Sequence, residues 1–455
     1  MSPSAAAPGV LPGLRESAAY IAGLGKPTAA EVLAGARDDG RVALQPRCGV
    51  GGHAEMKALL LALEAEAGPD VLTLTIDSHT RLRRFDRAAR TLATRPQDLN
   101  GYPLVSHGWR RGRELNEAVG APLEIRHGSP DPRVLFDVAV AAGITSFEGG
   151  GISYNLPYSK DVPLSASLAA WEAVDRRCGA LADLGVVVDR ELFGTLTAVL
   201  VPPSISLAVS VLEAVLATRA GVKCLSVAYP QGGHLVQDVA ALEAIEILAR
   251  HHLPADVQVH PVLHEFMGVF PRQRGHAEDL ILYGALVARL GGASKLITKT
   301  YEEAAGIPGT RANIDGLRLA DRANSRLLDF LSVDRDRVRE ERGWILAEVA
   351  EIVEPVLERG RDPAAAIVEA FARGTLDIPF SASRFARSAI VPKRDAEGAI
   401  RYLSAGALPL SGTTLRRHHE LLHGPDGPGT PPGSLLADLT RDINYFPNLF
   451  CEEPT

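Results

Sequence analysis

Short apolar runs alternate along the chain with longer segments whose apolar positions recur at every third or fourth residue. The runs Val42–Gln45, Val71–Ile76, Pro122–Ile125 and Ile144–Phe147 read as strands, and Val186–Asp189, Lys223–Ala228, Val257–Leu263 and Lys295–Thr298 continue the series. Between them lie Ala/Leu/Glu-rich stretches with helical spacing, such as Ser165–Leu184 and Gln237–His251. This succession predicts a (β/α)8 barrel, with a doubly wound open sheet as the competing arrangement. Residues 1–38 read as a helical lead-in, 39–330 as the barrel and 331–455 as a C-terminal α+β extension. The extension opens with a long charged helix, Asp334–Gly360, and carries a turn-rich break at Gly424–Gly433.

Composition narrows the class. The 455 residues are 46% apolar and 23% charged, as in a globular enzyme, and the net charge of -7 argues against nucleic acid or an anionic membrane as partner. Cys48, Cys178, Cys224 and Cys451 lie far apart with no C-x-x-C, which excludes a zinc knuckle or disulfide framework and suits a reducing cytoplasm. The first residues lack a basic stretch followed by an apolar one, so no signal peptide is expected. Leu192–Leu212 is free of charge, but Pro202-Pro203 would break a membrane-spanning helix there.

The strands end in charge. Pro46-Arg47-Cys48-Gly49 closes the first, Asp77-Ser-His-Thr-Arg81 the second, Arg126-His127-Gly128 the third and Glu148-Gly149-Gly150-Gly151 the fourth. Lys299-Thr300 closes the eighth, with Glu303 one turn later. Ligands bind at the C-terminal strand ends of barrels and open α/β sheets alike. Arg47, Arg81 and Arg126 converging there would form a cationic pocket in an acidic chain. Planar guanidinia grip carboxylates bidentately, so the expected ligand is a small dicarboxylate. A single Arg would be read more simply as the partner of a loop acid; three on adjacent strands argue for a site. The triple glycine before Tyr154-Asn-Leu-Pro-Tyr158 lets backbone approach a ligand. Only seven of the 48 basic residues are Lys, so Lys299 stands out, although an i,i+4 pair with Glu303 is its plainer reading.

Three weaker signals lead elsewhere. Gly49-Val-Gly51-Gly-His-Ala54 imitates a dinucleotide fingerprint, but Pro46-Arg47 replaces the apolar strand end and the following acid comes late. Asp77-Ser-His79-Thr-Arg-Leu82 approaches the cobalt-ligating D-x-H-x-x-G pattern of cobalamin proteins, yet Leu82 stands where Gly is required. The pairs His260/His264 and His419/His423 lack a third ligand, so no metal site is expected in this chain.

A set of motifs in constant order resembles the large (epsilon) subunit of glutamate mutase, also called methylaspartate mutase. It comprises Gln45-Pro-Arg47, Thr75-Ile-Asp77 with Thr80-Arg81, Leu99-Asn-Gly-Tyr-Pro103, Arg126-His-Gly128 with Pro130-Asp131, and Glu148 through Tyr158. It continues through Phe193-Gly-Thr-Leu-Thr197, Leu200-Val-Pro-Pro-Ser204, Met267-Gly-Val-Phe-Pro271, Lys299 through Pro308, Leu376-Asp-Ile-Pro-Phe380 and Arg401-Tyr-Leu403.

The resemblance implies a barrel dimer that works within a heterotetramer, beside a small (sigma) subunit that ligates the cobalt of adenosylcobalamin. It implies the radical interconversion of L-glutamate and (2S,3S)-3-methylaspartate, an isomerase reaction through a glycyl radical and acrylate. Carried over, Arg47, Arg81 and Arg126 would hold the substrate carboxylates with His127 beside them. Glu148 would meet the amino group as a base, and Tyr154 and Tyr158 would complete the substrate shell. Gly49, Asn100, Pro157, Met267, Phe270, Lys299, Glu303 and Ile307 would face the coenzyme. His79, Ser106-His107-Gly108, His264-Glu265-Phe266 and Tyr301 depart from the family pattern, which bears on small-subunit docking or substrate range. The Ala/Arg/Gly-rich, Lys-poor composition suggests a GC-rich bacterium; supply of 3-methylaspartate for secondary metabolism and fermentation of glutamate are the two alternative roles. Two other readings are a Schiff-base lyase or aldolase acting on a dicarboxylate through Lys299, and a dicarboxylate-binding regulator without turnover.

Overall fold

A computed structural model describes residues 10–195, 199–424 and 434–451. Residues 1–9, read above for a leader, the turn-rich segment 425–433 and Leu196-Thr197 lie outside the described residues. Eight parallel strands form one sheet: β1 (Ala43–Pro46), β2 (Leu72–Thr75), β3 (Leu123–Arg126), β4 (Ser146–Glu148), β5 (Asp189–Leu192), β6 (Cys224–Pro230), β7 (Gln258–His264) and β8 (Lys295–Thr298). Each of β2 to β7 pairs with its successor and β8 pairs with β1. The seam between β1 and β2 is tied by Thr75 N–H donating to Cys48 O at 2.9 Å. The sheet therefore closes on itself as the expected (β/α)8 barrel rather than opening at a switch point.

The fifth strand sits three residues later than its apolar pattern predicts. Asp189-Arg190-Glu191-Leu192, and not Val186–Asp189, pairs with β4 and β6, and all four residues are buried. Periodicity misplaces this strand because the barrel interior here is polar. On alternate positions of β3 and β5, Glu124, Arg126, Asp189 and Glu191 point inward; the three carboxylates meet the buried Lys295 of β8, and Arg126 pairs with Glu124 and Glu191. Lys295 Nζ lies 2.8 Å from Glu124 and 2.6 Å from Glu191. Gln45 Nε2 donates to Glu124 at 2.7 Å, and Ser146 Oγ bridges Glu124 and Asp189 at 2.9 Å each. A barrel interior is ordinarily filled by branched aliphatic layers; this one holds an ion network, tolerated because nearly every charge has a partner.

Two helices precede β1, Leu14–Gly23 and Ala29–Asp38, the second capped by the Thr28 hydroxyl accepting from Glu31 N–H. Lys26 fastens it to the barrel through Asn116 Oδ1 and the carbonyls of Asn116, Val119 and Ala121. The Pro pair behaves as expected: Pro202 precedes and Pro203 begins a buried helix, Pro203–Arg219. No helix among the described residues is long and apolar enough to cross a membrane.

The extension shares the barrel's apolar core. Its long helix, Arg335–Leu357, is capped by Asp334 and lies against Leu235–His252 and Pro203–Arg219. Arg401, in the antiparallel pair β9 (Val391–Arg394) and β10 (Ile400–Ser404), grips Glu341 of that helix with bonds of 2.6 and 2.9 Å. Further on, Ser381 Oγ donates to Leu156 O at 2.7 Å and Arg384 N–H to Lys160 O at 3.1 Å. The extension thereby straps the loop that carries Tyr154 and Tyr158.

Candidate active site at the barrel mouth

The charged strand ends meet at the C-terminal mouth, directly above the ion network. Arg126 is 3% exposed and its Nη1 bridges Glu124 at 2.8 Å and Glu191 at 2.9 Å, while its Nη2 abuts Glu148. Glu148 in turn accepts from the Tyr154 hydroxyl. Arg126 is thus anchored from below by two carboxylates and touches the base candidate with its remaining edge.

Arg47 and Arg81 differ. Neither forms an ion pair with a carboxylate among the described residues, although Asp77 acts on Arg81 from farther off, and Arg81 Nε is buried with no acceptor. They are close enough to repel: burial first, and then Arg47, pull the Arg81 guanidinium below its ordinary pKa, against the opposing pull of Tyr154. Unpaired guanidinia facing one pocket are costly unless an anion joins them.

Electrostatics sets the protonation states. Burial pushes Glu148 up to about 8 in spite of Arg126, with Glu191 and Glu124 adding to the rise. Burial also works on Glu124, but Lys295 and Arg126 outweigh it and hold that carboxyl at about 2. Two carboxylates on one Arg are therefore driven apart, the lower one fixed as an anion and the upper one able to gain and lose a proton near neutrality. Burial raises the Tyr154 phenol far above its usual range, so it serves Glu148 as a hydrogen-bond donor only.

His127 lies on the outward side of β3, stacked on Trp171 with ring centroids 5.6 Å apart and edge-on to Tyr154 at 4.8 Å. Burial, then Arg190 and Arg81, keep it neutral. Its Nδ1 accepts from Ser129 N–H at 3.0 Å, which places the proton on Nε2. Tyr158, 37% exposed, packs edge-on against Tyr154 at 5.7 Å and forms the rim of the pocket.

The residues read as coenzyme-facing divide into a packed set and an open one. Gly49 is pressed onto β2, where a Cβ would stand 2.6 Å from Thr75 O. Asn100 Oδ1 accepts from Ser78 N–H at 2.9 Å at the second strand end. Phe270 is buried with Phe266 and Phe446, whereas Met267 and Pro157 are half-buried. Lys299 is 4% exposed and its Nζ donates to Glu303 at 2.8 Å, while Ile307 stands 65% exposed beyond them. Burial lowers Lys299 and Glu303 opposes this. Among the residues that depart from the family pattern, His264 is buried and kept neutral by burial, Arg126 and Lys299. His107 stacks on Tyr102 at 4.4 Å and hydrogen-bonds Gly51 O.

Glu124, Asp189, Glu191 and Lys295 escaped the sequence reading. Their signal was present: Glu124 with Arg126, and Asp189 with Glu191, show the i,i+2 spacing that puts both side chains on one face of a strand.

A family model described as the methylaspartate mutase E chain matches residues 26–424. The glutamate mutase epsilon subunit of Halobacterium salinarum is 43% identical over 386 residues, 84% of this chain and 81% of that one. Those of Yersinia enterocolitica and Escherichia coli O157:H7 are each 40% identical, covering 83% and 84% of this chain and 80% and 81% of theirs. With matches of this extent, the chain belongs to the methylaspartate mutase E chain family, that of the glutamate mutase epsilon subunits.

Proposed function

We propose that this chain is the catalytic subunit of an adenosylcobalamin-dependent glutamate mutase, interconverting L-glutamate and (2S,3S)-3-methylaspartate together with a cobalamin-binding sigma subunit. The observation that carries the substrate assignment is the pair of guanidinia without an ion pair among the described residues, Arg47 and Arg81, close to each other and to Tyr154 of the Arg126–Glu148–Tyr154 cluster. Arg47 and Arg81 bind the substrate carboxylates bidentately, and Arg126 completes the clamp from the pocket floor. Holding both ends of the carbon skeleton keeps its pieces in register while a bond between them moves. Glu148 takes a proton from the substrate ammonium and returns it, a task suited to a carboxyl near 8. Tyr154 orients Glu148, and Tyr158 with the strapped loop shields the reacting carbons from water.

The β8 loop fits a polar, partly apolar coenzyme. Lys299 has three N–H donors and spends one on Glu303, leaving hydrogen-bonding capacity at a buried position, while Ile307 presents apolar surface alongside. Lys299 and Glu303 would hold the adenosyl moiety, with Gly49, Asn100, Pro157, Met267, Phe270 and Ile307 around it. Adenosylcobalamin, when bound, supplies the radical that abstracts a substrate hydrogen. Cobalt ligation is assigned to the sigma subunit, because Leu82 interrupts the D-x-H-x-x-G pattern here. The active assembly is a heterotetramer built on a homodimer of this chain, working in the cytoplasm.

The test is anaerobic turnover of L-glutamate by this chain and adenosylcobalamin, with and without a sigma subunit. Methylaspartate formed only in the complete mixture is the expected result. No product despite complex formation would overturn the substrate assignment. Borohydride trapping of glutamate on Lys299 would favour the lyase reading instead.

A further inference from the structure

The loop that carries Glu148 and Tyr154 is held from outside the barrel. Arg190 alternates with the inward Asp189 and Glu191 on β5 and so points away from the barrel axis. Its Nη1 donates to Phe147 O at 2.5 Å and its Nη2 to Gly149 O at 2.9 Å, the two carbonyls that flank Glu148. Nε donates to Asp175 at 2.8 Å, and the guanidinium lies over Trp171, 4.6 Å from the ring centroid. Three residues beyond Gly149, Glu213 Oε1 accepts from Ile152 N–H at 2.7 Å and from the adjacent Ser153 N–H at 2.8 Å, and Ser153 Oγ donates to its other oxygen.

Between these clamps the chain has no slack. Gly149 has φ +115°, and a Cβ on Gly150 would stand 2.2 Å from the Glu213 carboxylate. Balancing Asp175 alone would need only a cation, which a lysine could supply. Two carbonyls on either side of one residue, reached together with a carboxylate, require the planar fork of an arginine.

We propose that Arg190 is a positioning residue: by gripping the carbonyls of Phe147 and Gly149 it sets the height of the Glu148 carboxylate against Arg126 and Tyr154. The inference deepens the proposed function and rests on it. Arg190 touches neither the Arg47–Arg81 pair nor the β8 loop, so its loss should disturb the chemistry more than substrate capture. Arg190 also lines a cavity of about 860 Å³, together with Trp171, Asp175, Glu213, Leu168 and Val368, between the barrel helices and the extension. That opening gives a small cation a route to the place its guanidinium would vacate.

The experiment uses the complete enzyme with its small subunit and compares wild type with Arg190→Lys and Arg190→Ala. Arg190→Lys should lower kcat by about 10²-fold, the usual cost of a misplacement near 1 Å, with KM for L-glutamate within about 3-fold of wild type. Millimolar guanidinium should restore part of the lost kcat in Arg190→Ala, and equal tetramethylammonium should not. Amide exchange over residues 147–158, measured without coenzyme, should rise in Arg190→Ala and fall again with guanidinium. Wild-type kcat in Arg190→Lys would overturn the proposal. So would loss of activity in Arg190→Ala with unchanged exchange and no response to guanidinium, the mark of packing alone. If Arg190→Ala does not fold, Arg190→Lys decides. An inactive wild type would instead refute the proposed function, and the exchange comparison would still decide whether Arg190 holds the loop.

Discussion

Replacing Lys295 by Met tests whether the barrel floor is an ion network in which the cation is essential. Lys295 is fully buried and is the only lysine within reach of Glu124, Glu191 and Asp189 among the described residues. Met fills similar space but leaves three carboxyls facing one another with Arg126 as their sole neutralising group. Removing one partner from a buried ion network costs roughly 3–5 kcal/mol. Unfolding entropy of about 2.1 cal/mol/K per residue, over 455 residues, gives roughly 1 kcal/mol per degree, so Tm should fall by about 3–5 °C.

The pH dependence has a definite sign. In wild type Glu124 is held at about 2, below its ordinary value, so its stabilising contribution is present above pH 4.5 and lost as pH falls toward 2. Lys295 is raised above its ordinary value by Glu124, Glu191 and Asp189 against burial, so its contribution is present below about pH 10.5 and lost at higher pH. Without Lys295 the carboxyls titrate upward and protonate, so the deficit should be largest near pH 8 and shrink toward pH 5. Differential scanning calorimetry of both proteins at pH 5, 6.5 and 8 measures this. An unchanged Tm at every pH, or a deficit that grows as pH falls, would refute the reasoning.

Arg126→Lys should depress kcat/KM for L-glutamate by at least about 10²-fold, since a point charge cannot span Glu124, Glu191 and Glu148 at once; near wild-type kinetics would sink the clamp assignment. Glu148→Gln should lower kcat by roughly 10²-fold or more. In wild type, kcat/KM should rise with pH through about 8 as Glu148 loses its proton, and this limb should vanish in the Gln variant. Gly49→Ala should destabilise by about 1–3 kcal/mol, because its Cβ would lie 2.6 Å from Thr75 O and backbone cannot yield as a side-chain tip can; chemical denaturation reads the loss.

Seven of the eight strands lie within about two residues of their apolar runs, because a barrel strand flanked by helices must be apolar on its outer face. The exception, β5, shows what defeats periodicity. Asp189, Arg190 and Glu191 carry charge on both faces, inward to Lys295 and outward to Asp175, and no apolar alternation survives. The site was legible for a different reason. Arg126 and Glu148 end their strands, Arg47 follows directly on β1 and Arg81 lies in the short turn beyond β2, and a strand's C-terminal end in a barrel has only one place to go.

What the chain alone determined was therefore the barrel, the residues at its mouth and the family they resemble. These depend on local periodicity and on short motifs, both of which survive in one dimension. The division of labour among the three arginines was decided only on folding. Arg126 is neutralised from below while Arg47 and Arg81 stay open, because Glu124 and Glu191, distant along the chain, are brought beneath it. The pKa of Glu148 near 8, the neutrality of His127 and the grip of Arg190 on the loop that carries Glu148 have the same origin. Each depends on burial and on charges contributed from other strands, and charge–charge energy is set by distance through space, which closure of the barrel fixes.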